Sequence, residues 1–121
     1  MEASFRQALE NMQVDIGETV GRLMNNEELY LRFVRRYAGD KNFANGKKCY
    51  LEQNYNDMER YFHAMKGVTA TLGILMVSSR AEKLVNAIRA QNYDAIPPLL
   101  NDLERVNAFV LEQIATIKDD E

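Results

Sequence analysis

Apolar residues recur along the chain at intervals of three and four, the period of a helix with one buried face. A first short amphipathic segment carries Phe5, Leu9 and Met12, and a second runs from about Asp15 to Met24 with Ile16, Val20 and Leu23. Asn25, followed by Asn26-Glu27-Glu28, reads as a helix cap with a glutamate at the third helical position. The helix it opens carries Leu29, Phe33 and Tyr37 at four-residue steps, with Tyr30 and Val34 beside them. Gly39-Asp40 interrupts it, since glycine suits a helix end and aspartate a new cap. Helical character resumes with Phe43, Tyr50 and Leu51, weakened by Gly46. Gln53-Asn54 forms the next turn, with Asn54 as its cap.

From Tyr55 the pattern is continuous. Met58, Tyr61, Met65, Val68 and Leu72 follow steps of three and four and predict one buried stripe, ended by Gly73. The next helix repeats the pattern with Val77, Ala81, Leu84 and Ile88. After the polar turn Gln91 to Asp94 a last helix starts at Asp94 or at Ile96, with Pro97 and Pro98 in its first turn. It carries Leu99, Leu103, Val106, Val110, Ile114 and Ile117. Short connections force neighbouring helices to run antiparallel. The expected fold is therefore all-α: an up-and-down antiparallel four-helix bundle with an additional short N-terminal helix. The aromatic residues and methionines of these stripes are read as core packing.

Composition narrows the function. A length of 121 residues fits one domain, residues 1–121, and 46% hydrophobic residues suffice for one core. The net charge of −3 offers no field for a nucleic-acid backbone, and Lys47-Lys48 reads as a solvated helix face. No apolar run is long enough to span a bilayer, and the N-terminal segment, mixed in charge, is not a secretory signal. A single cysteine, Cys49, cannot form an internal disulfide and is expected near the core; a cytoplasmic setting follows. One histidine and one cysteine cannot supply a soft metal site, and no glycine-rich phosphate loop is present.

The one histidine, His63, sets the candidate chemistry. At about 100° per residue it lies opposite the predicted stripe and should face solvent. Glu59, Arg60, Lys66, Gly67, Ala70 and Ile74 share its side of the helix. An imidazole is neutral over much of the cellular pH range and can act as a nucleophile. A phosphoryl group on it would be anionic, and Lys66, one turn on, could offset that charge. Gly67 lacks the Cβ that would obstruct an approaching partner, at a cost of about 1 kcal/mol in helix stability relative to alanine. The plain alternative is a polar surface residue beside a solvated lysine.

His63-Ala64-Met65-Lys66-Gly67, with Thr69, Leu72 and Gly73, resembles the motif H-x-x-K-G-x-x-x-x-(L/I/F)-G of histidine-containing phosphotransfer (HPt) domains. The likeness continues upstream, where Asn25-Asn26-Glu27-Glu28-Leu29-Tyr30 and Phe33 resemble a G-N-x-E-L-Y stretch. Asn54 to Phe62 resembles the approach to the active histidine. Downstream, Ala81, Leu84 and Ile88 to Ala95 also fit, so the resemblance runs from about Phe5 to Ile117. It implies a phosphorelay intermediate. A receiver domain's phosphoaspartate would donate to His63, and His63 would pass the group to another receiver. Lys66 would be the charge partner and Gly67 the clearance residue. Glu59, Arg60, Ala70 and Ile74 are expected at the docking surface.

The resemblance also implies that the chain needs no cofactor. Mg²⁺ and most catalytic groups would belong to the receiver. Partners would be response-regulator receivers or a hybrid histidine kinase, with no nucleic acid and no membrane, and the chain is expected to be a monomer. Its initial methionine and completed last helix favour a free-standing protein. The chain departs from the family where Val85 stands in place of a glutamate that engages the imidazole in chemotaxis kinases; Glu59 is the candidate substitute. Val68 and Phe62 replace smaller residues, and Gly39 falls within the family's long second helix. A docking module that blocks a receiver or kinase without taking phosphate is the second reading. An autonomous enzyme is disfavoured, because no paired acid–base constellation, metal set or cofactor loop is visible.

Overall fold

The computed structural model describes residues 1–119, and every regular element among them is helical. In chain order these are α1 (Ala3–Asn11), α2 (Ile16–Gly21), α3 (Glu27–Tyr37), α4 (Asn42–Leu51), α5 (Tyr55–Thr71), α6 (Leu75–Arg89) and α7 (Ile96–Ala115). A 3-10 turn, Tyr93–Ala95, leads into α7, so the last helix takes the later of its two expected starts, with both prolines in its first turn. Two short helices, rather than one, precede the longer ones.

Side chains that accept from orphan backbone N–H groups set most helix starts. Asp15 accepts from Glu18 N at 3.1 Å, and Asn54 from Asp57 N at 3.2 Å. The cap of α3 is Asn26, which accepts from Leu29 N at 3.0 Å, one residue later than the glutamate spacing suggests. Asn25 is instead left-handed, with φ 60°, next to Met24 at φ 56°. Asparagine tolerates that region, and here it lies in the turn between α2 and α3. At the expected break, α3 stops at Tyr37 and Asp40 accepts from Asn42 N at 2.8 Å, opening α4.

The long helices meet in sequence: α4 packs on α5, α5 on α6, α6 on α7, and α1 lies against α7. The α5–α6 pair is antiparallel. Glu59, early in α5, reaches Arg89 at the end of α6, and Lys66, further along α5, reaches Glu82 in mid-α6. Arg80 of α6 pairs with Asp102 of α7 at 2.8 Å, and Lys47 of α4 with Glu104 of α7 at 3.0 Å, so Lys47 is not merely solvated. One cluster of buried residues runs from Phe5 to Ile114 and includes Cys49. Its few polar groups are satisfied: the Tyr37 hydroxyl donates to Asn107 Oδ1, and the Tyr30 hydroxyl to the Leu72 carbonyl, each at 2.6 Å. Burial pushes both phenol pKa values well above the usual tyrosine range. Tyr30→Phe strands the Leu72 carbonyl, so urea unfolding should show a loss of about 1–3 kcal/mol.

The buried face of α5 differs from the expected stripe. Met58, Phe62, Met65, Thr69 and Leu72 are buried, whereas Tyr61 is half-buried and Val68 is 39% exposed. Two local facts explain the rotation. The Phe62 ring fills the space left by Gly46 of α4, where a Cβ would stand 2.6 Å from the ring. Thr69 spends its hydroxyl on the Met65 carbonyl of its own helix at 2.8 Å and so can be buried without a partner elsewhere. In α6 the expected Val77, Ala81, Leu84 and Ile88 are all buried. In α7, Leu103, Val106, Val110 and Ile114 are buried and Leu99 is half-buried, while Ile117, expected in this helix, lies past its end at Ala115 and is half-buried.

Candidate functional site

His63 sits at the middle of α5, and its side chain is exposed despite the rotated core face. Its ring makes no hydrogen bond to another side chain or backbone group among the described residues. Lys66, half-buried, has its ammonium 3.5 Å from Glu82 Oε1. That separation is at the long end for an ion pair, and both groups reach solvent, so the attraction is weak and readily exchanged. Gly67 is exposed, and a Cβ added to it would meet nothing within 4 Å.

The last observation matters because other glycines have internal reasons. Gly46 makes room for Phe62. Gly73 has φ +75° and is closely covered by Thr19 and Val14. Gly21 is as open as Gly67 but closes a six-residue helix, where the loss of propensity matters less. Gly67 lies within a 17-residue helix, and nothing in the fold requires its bare backbone. Gly67→Ala should therefore raise stability by about 0.5–1 kcal/mol in urea unfolding. Gly67→Gln, also tolerated by the fold, should slow transfer from a docking partner; unchanged transfer would remove the clearance argument.

The remaining expected site residues divide. Arg60 is exposed and pairs with Asp57 at 3.3 Å, and Ala70 is half-buried. Glu59 does not serve the imidazole: its carboxylate is taken by Arg89 Nε from α6. Ile74 does not belong to the docking rim, because it is wholly buried. The left-handed Gly73 turns the chain so that Ile74 enters the core, and its neighbour Leu75, 59% exposed, faces outward instead. Val85 is buried, which leaves no acidic side chain at that position of α6.

Spacing along α5 gave no sign of a cleft between α3 and α5. It has a volume of about 390 Å³, opens beside Gly67, and has Phe33, Arg36, Val68, Thr71 and Leu72 among its walls. The spacing puts Phe33 and Tyr37 on one core stripe. Phe33 is only half-buried, and Arg36 lies over its ring at 5.6 Å from the centroid. The signal available in the sequence was the exposed i+3 cation beside that aromatic residue.

Among the described residues no group of three or more histidine, cysteine or carboxylate side chains is gathered in a way that could hold a metal ion. No helix there is long and apolar enough to cross a membrane. The arrangement leaves an unhindered imidazole, an ammonium group one turn away, and a strip of bare helix between them and an apolar cleft. Comparison of the chain with protein-family models gave no match, and comparisons with curated proteins and with solved structures gave none either.

Proposed function

We propose that the chain is a histidine phosphotransfer protein of a two-component phosphorelay. The observation that carries this reading is Gly67, a helix-weakening residue beside an exposed histidine that no internal contact explains. The sequence resemblance to HPt domains supports it. On this reading α3 and α4 together form one bent member of an up-and-down antiparallel four-helix bundle, with α5, α6 and α7 as the others. The successive α4–α5, α5–α6 and α6–α7 pairings support it. The chain acts as a cytoplasmic monomer and carries no cofactor of its own.

The chemistry is a phosphoryl exchange. The unprotonated ring nitrogen of His63 forms the N–P bond as the P–O bond to the donor's aspartate breaks. The carboxylate leaves with the electron pair, and the proton on the other ring nitrogen can pass to water. Lys66 exchanges Glu82 for the new anion. The reverse step delivers the group to an acceptor aspartate. Mg²⁺ on the receiver supplies charge neutralisation at phosphorus, and positioning by the docked surfaces supplies the rest. No autonomous catalysis is expected of the isolated chain.

The test is incubation with phosphorylated receiver domains. Phosphate that is labile in acid and stable in alkali should appear on the chain. Lys66→Ala should slow transfer or shorten the lifetime of the phosphoprotein by about three- to tenfold, an effect of about 1 kcal/mol. The cleft beside Gly67 would equally serve a module that docks on a receiver or kinase without taking phosphate. Biological function that survives His63→Gln would favour that second reading.

A further inference from the structure

The α3–α5 cleft carries a cation that the phosphotransfer chemistry does not use. Cations around His63 are mostly engaged: Lys66 with Glu82, Arg60 with Asp57, and Arg89 with Glu59. Arg36 has no carboxylate within ion-pair distance among the described residues. Asp40, which also lines the cleft, is occupied in opening α4 through Asn42 N and Asn42 Nδ2. Arg22 of the α2 end approaches the same wall, donating to the Thr71 carbonyl at 3.4 Å. Arg36 in the rim and Arg22 beside it thus have no carboxylate partner among the described residues, on a chain whose net charge is −3. With Asp40 counted, Arg36 and Arg22 still leave this rim one positive charge in excess, on a molecule that is negative as a whole.

Geometry adds to charge. The Arg36 guanidinium rests over the Phe33 ring, which limits its conformations before any partner arrives. A stacked guanidinium is weakly hydrated and loses little further freedom on pairing. Beneath it the cleft is mainly apolar, with Phe33, Val68 and Leu72 offering a seat for one side chain. Its mouth adjoins Gly67, the residue whose bareness admits a second body.

We propose that Arg36 is a specificity-determining residue of the docking surface. It pairs with a carboxylate on an acidic protein surface, and an apolar side chain next to that carboxylate fills the cleft over Phe33 and Val68. The inference rests on the phosphotransfer reading and names the chemistry by which the receiver is selected.

The experiment uses the full chain and the receiver domain that loads it fastest, at several salt concentrations. Arg36→Glu should raise KM for that phosphorylated receiver about tenfold or more, leave kcat within about twofold, and flatten the salt dependence. Arg36→Lys should recover part of the loss. Loading of His63 by phosphoramidate, a small donor with no docking surface, should be unchanged in Arg36→Glu. Arg36→Gln, which removes the charge without reversing it, should fall between. A wild-type KM and salt slope in Arg36→Glu would overturn the inference while leaving the phosphotransfer reading intact. A self-associated chain that Arg36→Glu dissociates in sedimentation would also overturn it, since a second copy would then be the occupant. If the wild-type chain takes phosphate from neither source, the underlying reading fails and this inference with it.

Discussion

His63→Gln should lower phosphate uptake by at least about a thousandfold, from phosphoramidate and from phosphorylated receivers alike. The loss is expected to be chemical and not structural. The His63 side chain is exposed and contributes nothing to the buried cluster that runs through α5. Glutamine is at least as good a helix former, so the thermal midpoint should remain within about 2 °C of the wild-type value. The two readouts together matter. Loss of uptake with loss of folding would say nothing about the imidazole, whereas retained uptake would place the phosphate on another side chain.

Gly73→Ala should be the most damaging single substitution for stability among those considered, at about 2–5 kcal/mol. Two costs combine. Its φ of +75° is disfavoured for any residue with a Cβ, by about 1–2 kcal/mol. The added Cβ would also overlap Thr19 Oγ1 and crowd Thr19 Cγ2 and Val14 Cγ1, each at 3.2 Å. Neither neighbour can withdraw easily, because Thr19 and Val14 are themselves buried. Urea unfolding of Gly73→Ala, Thr19→Ala and the double variant separates the terms. The Thr19 change should relieve the overlap in the double variant and leave the backbone cost. A Gly73→Ala protein within about 0.5 kcal/mol of wild type would refute the account of this turn.

How much of this was legible beforehand depends on whether the determinant was local. Helix class, the Asn54 cap, the break at Gly39-Asp40 and the stop at Gly73 follow from neighbours within one turn, and the chain shows them. The buried face of α5 departs from its periodicity because its position depends on Gly46, sixteen residues before Phe62. The expected stripe runs through Tyr61 and Val68 and leaves out Thr69, whose hydroxyl satisfies itself on its own helix and so allows burial. At the α3 start the glutamate spacing points to Asn25, but Asn25 is left-handed and Asn26 takes the cap instead.

The same distinction holds at the candidate site. His63, Lys66 and Gly67 are three and four residues apart, so their shared face could be read from helical geometry alone. Glu59 could not be excluded as the imidazole's partner from spacing, since Arg89, thirty residues away, claims it. Ile74 lies beyond the left-handed Gly73, where helical projection ceases to apply. The Arg36 cleft requires the approach of α3 to α5, which no periodicity records.

The account depends most on phosphate residing on the His63 ring. The direct measurement is nuclear magnetic resonance of the ¹⁵N-labelled chain after loading by a phosphorylated receiver. A phosphorus–nitrogen coupling on the one imidazole of the chain, lost in acid and kept in alkali, is the result predicted. A ring spectrum unchanged by loading, with phosphate absent or bound through oxygen elsewhere, would contradict it.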